Sequence, residues 1–194
     1  MKVARILYPV EALGPGRRLC VWMQGCHRKC PGCANPELWD TNKTADLSLE
    51  FVLAMARSAL RVLSLDGITI TGGEPLLQAE ELALLLEQLR PLCNDVLLFT
   101  GFTSEEINNC EAYKRVINNI SVYVDGPYFQ ELNDGEKLRG SRNQQIVIRD
   151  ENLKAKYQSY MEEPSHQIDN FDTINGIASV GIHPFGLIDL MREN

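Results

Sequence analysis

The 194-residue sequence has no apolar run of the roughly 18 to 20 residues that would span a bilayer. It lacks a signal-peptide core as well, because Glu11 and several turn formers follow Lys2 and Arg5 too early. Basic residues are not in excess. There are 19 Lys and Arg against 26 Asp and Glu, a net charge of −7, which argues against a nucleic-acid surface covering the molecule. Histidine is scarce, and His27, His166 and His183 form no recognisable ligand or acid–base pattern. Low-complexity tracts are absent, and 23% charged with 44% hydrophobic residues excludes collagen, coiled coil and general disorder. These absences leave a globular chain, expected to be cytoplasmic and to have no nucleic-acid or membrane partner. A chain of this size buries about 70% of its unfolded surface, enough for a core without covalent staples.

What is present is unevenly placed. Residues 1–33 carry six basic side chains (Lys2, Arg5, Arg17, Arg18, Arg28 and Lys29) against one acid, Glu11. A basic end on an acidic protein suits a charged partner, or is ordinary surface charge. The six cysteines do not read as a disulfide framework, since three of them lie within eight residues and the chain needs no staples. Cys20 sits in an apolar run and Cys93 between a helix and a strand, and both read as small buried hydrophobes.

Apolar periodicity predicts alternating strands and helices. Strands are expected at 19–24, 68–71, 95–100, 120–125 and 144–149, and helices at 49–63, 77–90 and about 104–114. In the first helix Leu49, Val52, Leu53, Ala56, Ala59, Leu60 and Leu63 share a face, with Ser48 as N-cap. In the third, Thr103 and Glu106 have capping-box spacing and Phe102 is placed to staple onto Ile107. Strands followed by helices imply a parallel sheet covered by helices, an α/β fold. After residue 150 there is a weak helical hint at 153–161. An apolar, glycine-punctuated stretch at 171–190 then suits two short strands.

Three constellations carry chemistry. The first, Gly25-Cys26-His27-Arg28-Lys29-Cys30-Pro31-Gly32-Cys33, spaces its cysteines CxxxCxxC. Three thiolates in a short loop suit a soft metal centre. An iron–sulfur cubane uses three and leaves its fourth iron open, zinc asks for a fourth ligand, and incidental buried cysteines are the third reading. The second is Thr71-Gly72-Gly73-Glu74-Pro75, at a strand end where α/β folds bind ligands. Its glycines let backbone approach a ligand, and Glu74 can accept from an ammonium; a β-to-α turn needing φ > 0 explains the glycines equally well. The third joins Tyr123-Val124-Asp125-Gly126-Pro127-Tyr128 to Leu138-Arg139-Gly140-Ser141-Arg142-Asn143-Gln144-Gln145. These polar residues line a pocket or face solvent.

The CxxxCxxC loop, followed one βα unit later by Gly-Gly-Glu-Pro, resembles the radical S-adenosylmethionine (SAM) superfamily. The third constellation is similar to one subgroup, the activating enzymes of anaerobic ribonucleotide reductase. So are the Pro31-Gly32 pair and the segments Tyr8-Pro9-Val10 and Gly14-Pro15-Gly16-Arg17. Gly32 departs from the wider superfamily, which usually has an aromatic there. The resemblance covers about residues 6–149. It implies a partial, open (β/α) barrel of five or six mainly parallel strands, since a closed eight-strand barrel takes about 250 residues. Residues 1–150 would be the radical SAM core, and 151–194 an extension packed on or completing it. By position, Cys26, Cys30 and Cys33 would ligate a [4Fe-4S] cluster. Gly72, Gly73 and Glu74 would contact the methionine part of SAM. Thr100 would lie near SAM and Asp125 on its nucleoside side. Arg139, Ser141 and Asn143 would lie at the mouth or near the SAM carboxylate.

The resemblance further implies reductive cleavage of SAM to methionine and a 5′-deoxyadenosyl radical. That radical would take a hydrogen atom from a glycine of the reductase large subunit. The electron donor would be flavodoxin or a ferredoxin-type protein, with Arg17, Arg18, Arg28 and Lys29 helping to dock it. Two alternatives stand beside this one. One is a divergent radical SAM enzyme acting on another protein, peptide or small molecule. The other is a non-enzymatic metal-binding interaction module.

Overall fold

A computed structural model of the chain describes residues 1–164, 167–173 and 176–182. Its centre is a six-stranded sheet in sequential order: β1 (Val3–Val10), β2 (Arg18–Met23), β3 (Gly67–Gly72), β4 (Val96–Phe99), β5 (Val122–Asp125) and β6 (Gln145–Ile148). β2 to β5 run parallel, while the edge strands β1 and β6 are antiparallel to their neighbours. The sheet does not close, so it is the open, partial barrel that was expected. Helix α1 (Leu49–Val62) follows β2, α2 (Ala79–Leu89) follows β3, and α3 (Ser104–Asn108) with α4 (Glu111–Ile117) follows β4.

Local chemistry sets several boundaries. The Ser48 hydroxyl accepts the Phe51 N–H at 3.1 Å and starts α1. The Thr103–Glu106 capping box forms in both directions, at 3.2 and 2.7 Å, and starts α3. Three expectations need correction. The helix expected over 104–114 is two helices, because Cys110 is extended and interrupts it. A short 3-10 turn, Pro75–Gln78, occupies the start of the helix expected at 77–90. β1 was not foreseen, since Pro9 breaks its pattern; a proline is tolerated there because β1 is an edge strand.

Alternate residues of each strand face opposite sides of the sheet. Leu19, Val21, Met23, Ile68, Ile70, Val96 and Leu98 pack under the helices with Val52, Ala56, Leu82, Leu86 and Val116. Each such Leu, Ile, Val or Met side chain stabilises the fold by about 1.5–3 kcal/mol relative to exposure. Cys20, Trp22, Leu97, Phe99, Val122 and Val124 belong to two smaller clusters on the concave side. Burial on both faces is why these strands read as continuous apolar runs.

The segment after residue 150 covers that concave side. Helix α5 (Lys154–Glu162) buries Tyr157 in the cluster of Leu97, Val122 and Val124. The hairpin β7 (Asp169–Thr173) and β8 (Gly176–Val180) packs Val180 and Phe171 in the cluster of Cys20 and Trp22. Asp169 Oδ2 accepts the Glu11 and Ala12 N–H groups at 2.7 and 2.8 Å. Residues 183–190 of the expected second strand, with His166 and His183, lie outside the described residues.

Arg18 overturns an expectation. It sits at the start of β2, 0% exposed, with Nη2 2.9 Å from Asp95 Oδ1 and Nε 2.7 Å from Thr69 Oγ1. Asp95 also accepts the Tyr157 hydroxyl at 2.6 Å and Lys156 Nζ at 2.7 Å. A guanidinium neutralised inside the protein cannot dock an electron donor. Arg17 is exposed but lies at the same end of β2, opposite the cysteine loop. Among the described residues no helix is long and apolar enough to cross a membrane.

Candidate active site

Because β2 to β5 are parallel, their C-terminal ends lie on one side of the sheet. The segments that follow share one cleft of about 200 Å³. Cys26, Cys30 and Cys33 enter it after β2, Gly72, Gly73 and Glu74 from the end of β3, Thr100 and Gly101 after β4, and Gly126 and Tyr128 after β5. Gly181 and Ile182, just past the C-terminal hairpin, also line it.

The cysteine loop is irregular, so its backbone donors are met locally. The Gly25 N–H donates to Leu38 O at 2.7 Å, Cys26 to Trp39 O at 3.1 Å, and Cys33 to Cys30 O at 3.2 Å. Gly32 has φ +71°, the left-handed region that side chains avoid, which accounts for a glycine just before the third cysteine. Gly73 is needed for close approach. A Cβ there would lie 2.3 Å from the Gly25 carbonyl oxygen, so glycine lets the end of β3 press against the start of the cysteine loop.

None of the six cysteines is in a disulfide. Burial pushes the Cys33 thiol up; the Asn35 N–H, 3.4 Å from its sulfur, and the Trp39 indole oppose this, while Cys26 and Cys30 add to it. Trp39 Nε1 is buried, and its N–H falls short of hydrogen-bond geometry with any acceptor, the nearby Cys33 sulfur included. An unpaired buried donor costs about 1–3 kcal/mol. Among the described residues no three thiol, imidazole or carboxylate groups converge on a point that would hold one metal ion. A cubane asks for something else: each thiolate takes a different iron, and N–H donors near the sulfurs support it. Three cysteines facing a shared cleft, with the Asn35 and Trp39 N–H groups beside the third, fit that group.

Glu74 is buried, 2% exposed, and joins two strand ends. Its carboxylate accepts from Thr100 Oγ1 at 2.7 Å, Leu76 N at 3.0 Å and Gly101 N at 2.7 Å. Burial pushes its pKa up, and these bonds, with the charge of Arg28, only partly oppose the rise. Arg28 is itself committed. Its Nη2 lies 2.8 and 2.9 Å from the two Glu106 oxygens, and its guanidinium stacks 4.7 Å over Phe102. Phe102 also packs on Tyr113, with ring centroids 4.8 Å apart, and on the cluster that contains Ile107.

The remaining expected residues are not in the cleft lining. Asp125 is buried, and its carboxylate accepts the Ser104 N–H at 2.8 Å, the Gln145 N–H at 3.2 Å and the Ser104 hydroxyl. Arg139 pairs with Asp134 at 2.6 Å. Asn143 donates to Pro127 O at 2.8 Å, and the Ser141 hydroxyl accepts the Phe129 N–H at 3.1 Å. Gln144 accepts from Gly140 N and Ser141 N and donates to Gly126 O. The two motifs of the third constellation therefore brace each other's backbone, and what they present to the cleft is Gly126, Tyr128, Gly140 and Gln144. Trp39 and Ile182 were not singled out from sequence, and Tyr128 was named only within its motif. Trp39, one of two tryptophans and placed just beyond the cysteines, was the one with a visible signal.

Residues 12–147 match the family described as a 4Fe-4S single cluster domain. The chain belongs to the radical SAM activase family. It is 33% identical over 150 residues to the anaerobic ribonucleoside-triphosphate reductase-activating protein of Escherichia coli K12, covering 72% of this chain and 94% of that one. The protein of the same name from Enterobacteria phage T4 is 32% identical over 145 residues, covering 72% and 90%. The pyruvate formate-lyase-activating enzyme of Staphylococcus epidermidis is 30% identical over 128 residues, covering 61% and 49%. The enzyme is thus a radical SAM oxidoreductase with a [4Fe-4S] cluster and SAM as cofactors, which sets aside the interaction-module alternative.

Proposed function

We propose that Cys26, Cys30 and Cys33 hold the cluster and that Gly72, Gly73 and Glu74 receive the methionine end of SAM. The hydrogen atom is then taken from a glycine of an anaerobic ribonucleotide reductase. The observation that carries this reading is that the three thiols and the Gly-Gly-Glu strip line one cleft at the C-terminal ends of parallel strands. When bound, the reduced cluster supplies the electron that cleaves the SAM sulfonium to methionine and a 5′-deoxyadenosyl radical. The chain contributes position. Glu74, fixed by Thr100 and Gly101, keeps acceptor capacity for an ammonium. Phe99 and Ile182 keep water from the apolar side of the cleft. Asp125, Arg139 and Asn143 serve the site through the loops they brace. Residues 1–150 are the catalytic core, and the extension beyond them belongs to the same folded unit. The names of the Escherichia coli and phage relatives support the choice of partner.

A flavodoxin or ferredoxin-type donor meets the exposed side of the cysteine loop, where His27 and Lys29 face solvent. Lys29→Glu should raise a salt-sensitive KM for the reductant; an unchanged KM removes this docking site.

Anaerobic reconstitution tests the main reading. About four irons per chain and dithionite-driven release of 5′-deoxyadenosine, both lost in Cys30→Ala, are expected. A glycyl-radical EPR signal on adding purified reductase completes the assignment. SAM cleavage without that signal would favour a different peptide substrate. One observation supports this second reading: Gly181 and Ile182, beyond the family match, narrow the cleft.

A further inference from the structure

Trp39 has so far been only a nearby N–H in the fit to a cubane, yet its position is tightly fixed. A 3-10 turn, Pro36–Leu38, delivers it, and its own N–H donates to Pro36 O at 3.2 Å. Its carbonyl accepts the Cys26 N–H, so its backbone is tied to the first cysteine. The preceding Leu38 is buried in the cluster of Trp22 and Cys20, which anchors the turn. The indole then reaches the third cysteine and lines the cleft. Its Nε1–H is buried in the cleft that Cys33 also lines, near enough to lower that thiol's pKa but short of hydrogen-bond geometry. Phenylalanine would fill the same space without an unpaired donor, so the N–H calls for an acceptor that arrives with the cofactor.

We propose that Trp39 is a positioning residue that donates an N–H···S hydrogen bond to the sulfur shell of the cluster on its Cys33 side. The inference rests on the proposed ligand set. Reduction places extra negative charge on the cluster sulfurs, and a fixed N–H dipole at a sulfur stabilises the reduced form. The Asn35 N–H, 3.4 Å from the same sulfur, acts in the same direction. Together they make the cluster easier to reduce by the electron donor. Trp39 touches neither SAM nor substrate in this role.

The test is an EPR-monitored redox titration of reconstituted wild type and Trp39→Phe, each with its iron content measured. At full iron content the variant should have a more negative midpoint potential. Its reduced fraction should be about threefold smaller at a poise that half-reduces the wild type. An unchanged potential at full iron content overturns the proposal. If Trp39→Phe loses iron, pulsed EPR of the reduced wild type labelled with 15N-indole tryptophan decides, with Trp22→Phe separating the two indoles. A 15N coupling assignable to Trp39 supports the bond, and no such coupling overturns it. Failure of the ligand reading looks different: wild type itself would hold fewer than four irons.

Discussion

The two ends of the parallel strands treat polar groups in opposite ways. At the N-terminal ends, Arg18, Thr69, Asp95, Lys156 and Tyr157 form a closed network in which every charge has a partner. At the C-terminal ends, thiols and glycines face a cleft, and the Trp39 and Arg28 Nε–H groups are buried without hydrogen bonds. The closed end ties α5 to β2, β3 and β4 and so holds the sheet in register. The open end keeps unmet capacity for a ligand. Asp95 and Glu74, both buried carboxylates, show the contrast in charge. Burial alone would raise Asp95, but Arg18, Lys156 and Tyr157 overcome it and hold the carboxyl below its ordinary range. Glu74 has mainly neutral donors, and burial wins.

The sharpest way to break this comparison is Asp95→Ala. It leaves Arg18 buried without its carboxylate and should cost about 3–5 kcal/mol in denaturant unfolding. A loss under about 1 kcal/mol would mean that the closed end is not what secures the sheet. Glu74→Gln should cost less, about 1.5–3 kcal/mol, because one oxygen that accepts the Gly101 N–H becomes a donor. It should also weaken SAM binding to the reconstituted enzyme, read by equilibrium binding; unchanged affinity would reduce Glu74 to a strand brace.

The same two residues predict opposite pH slopes in the apoprotein. The folded pKa of Asp95 is depressed, so its contribution is full above the unfolded value near 3.9 and is lost as pH falls through the folded value. The folded pKa of Glu74 is raised, so its contribution is full below the unfolded value near 4.3 and is lost as pH rises through the folded value. Asp95→Asn should therefore flatten the acid limb of a stability–pH curve, and Glu74→Gln the decline above it. Identical curves for both variants would refute the contrast. The smallest effect is expected away from both ends. Thr103→Ala removes a helix cap and should cost about 1 kcal/mol, with the iron content after reconstitution unchanged.

Several features were legible because they are local. Ser48 and the Thr103–Glu106 pair are recognisable from neighbours within one turn, and both form as expected. The apolar runs of β2 to β5 read correctly because each strand is buried on both sides. The third constellation was harder. A dense polar segment before a strand has the same composition whether it lines a pocket or braces a loop, and here Gln144, Asn143 and Ser141 brace. Arg18 was misread for a related reason: nothing near it in the chain announces Asp95, which is 77 residues away.

The alternation of strands and helices, the thiol loop and the Gly-Gly-Glu strip are legible in the residue order alone. All of these depend on spacings within one element or one turn. Long-range packing brings the two motifs into one cleft, neutralises Arg18 inside the fold and lays the segment after residue 150 over the concave side. It also brings the Trp39 indole near the Cys33 sulfur. Those outcomes depend on which distant backbones approach each other, and packing of the whole sheet sets that.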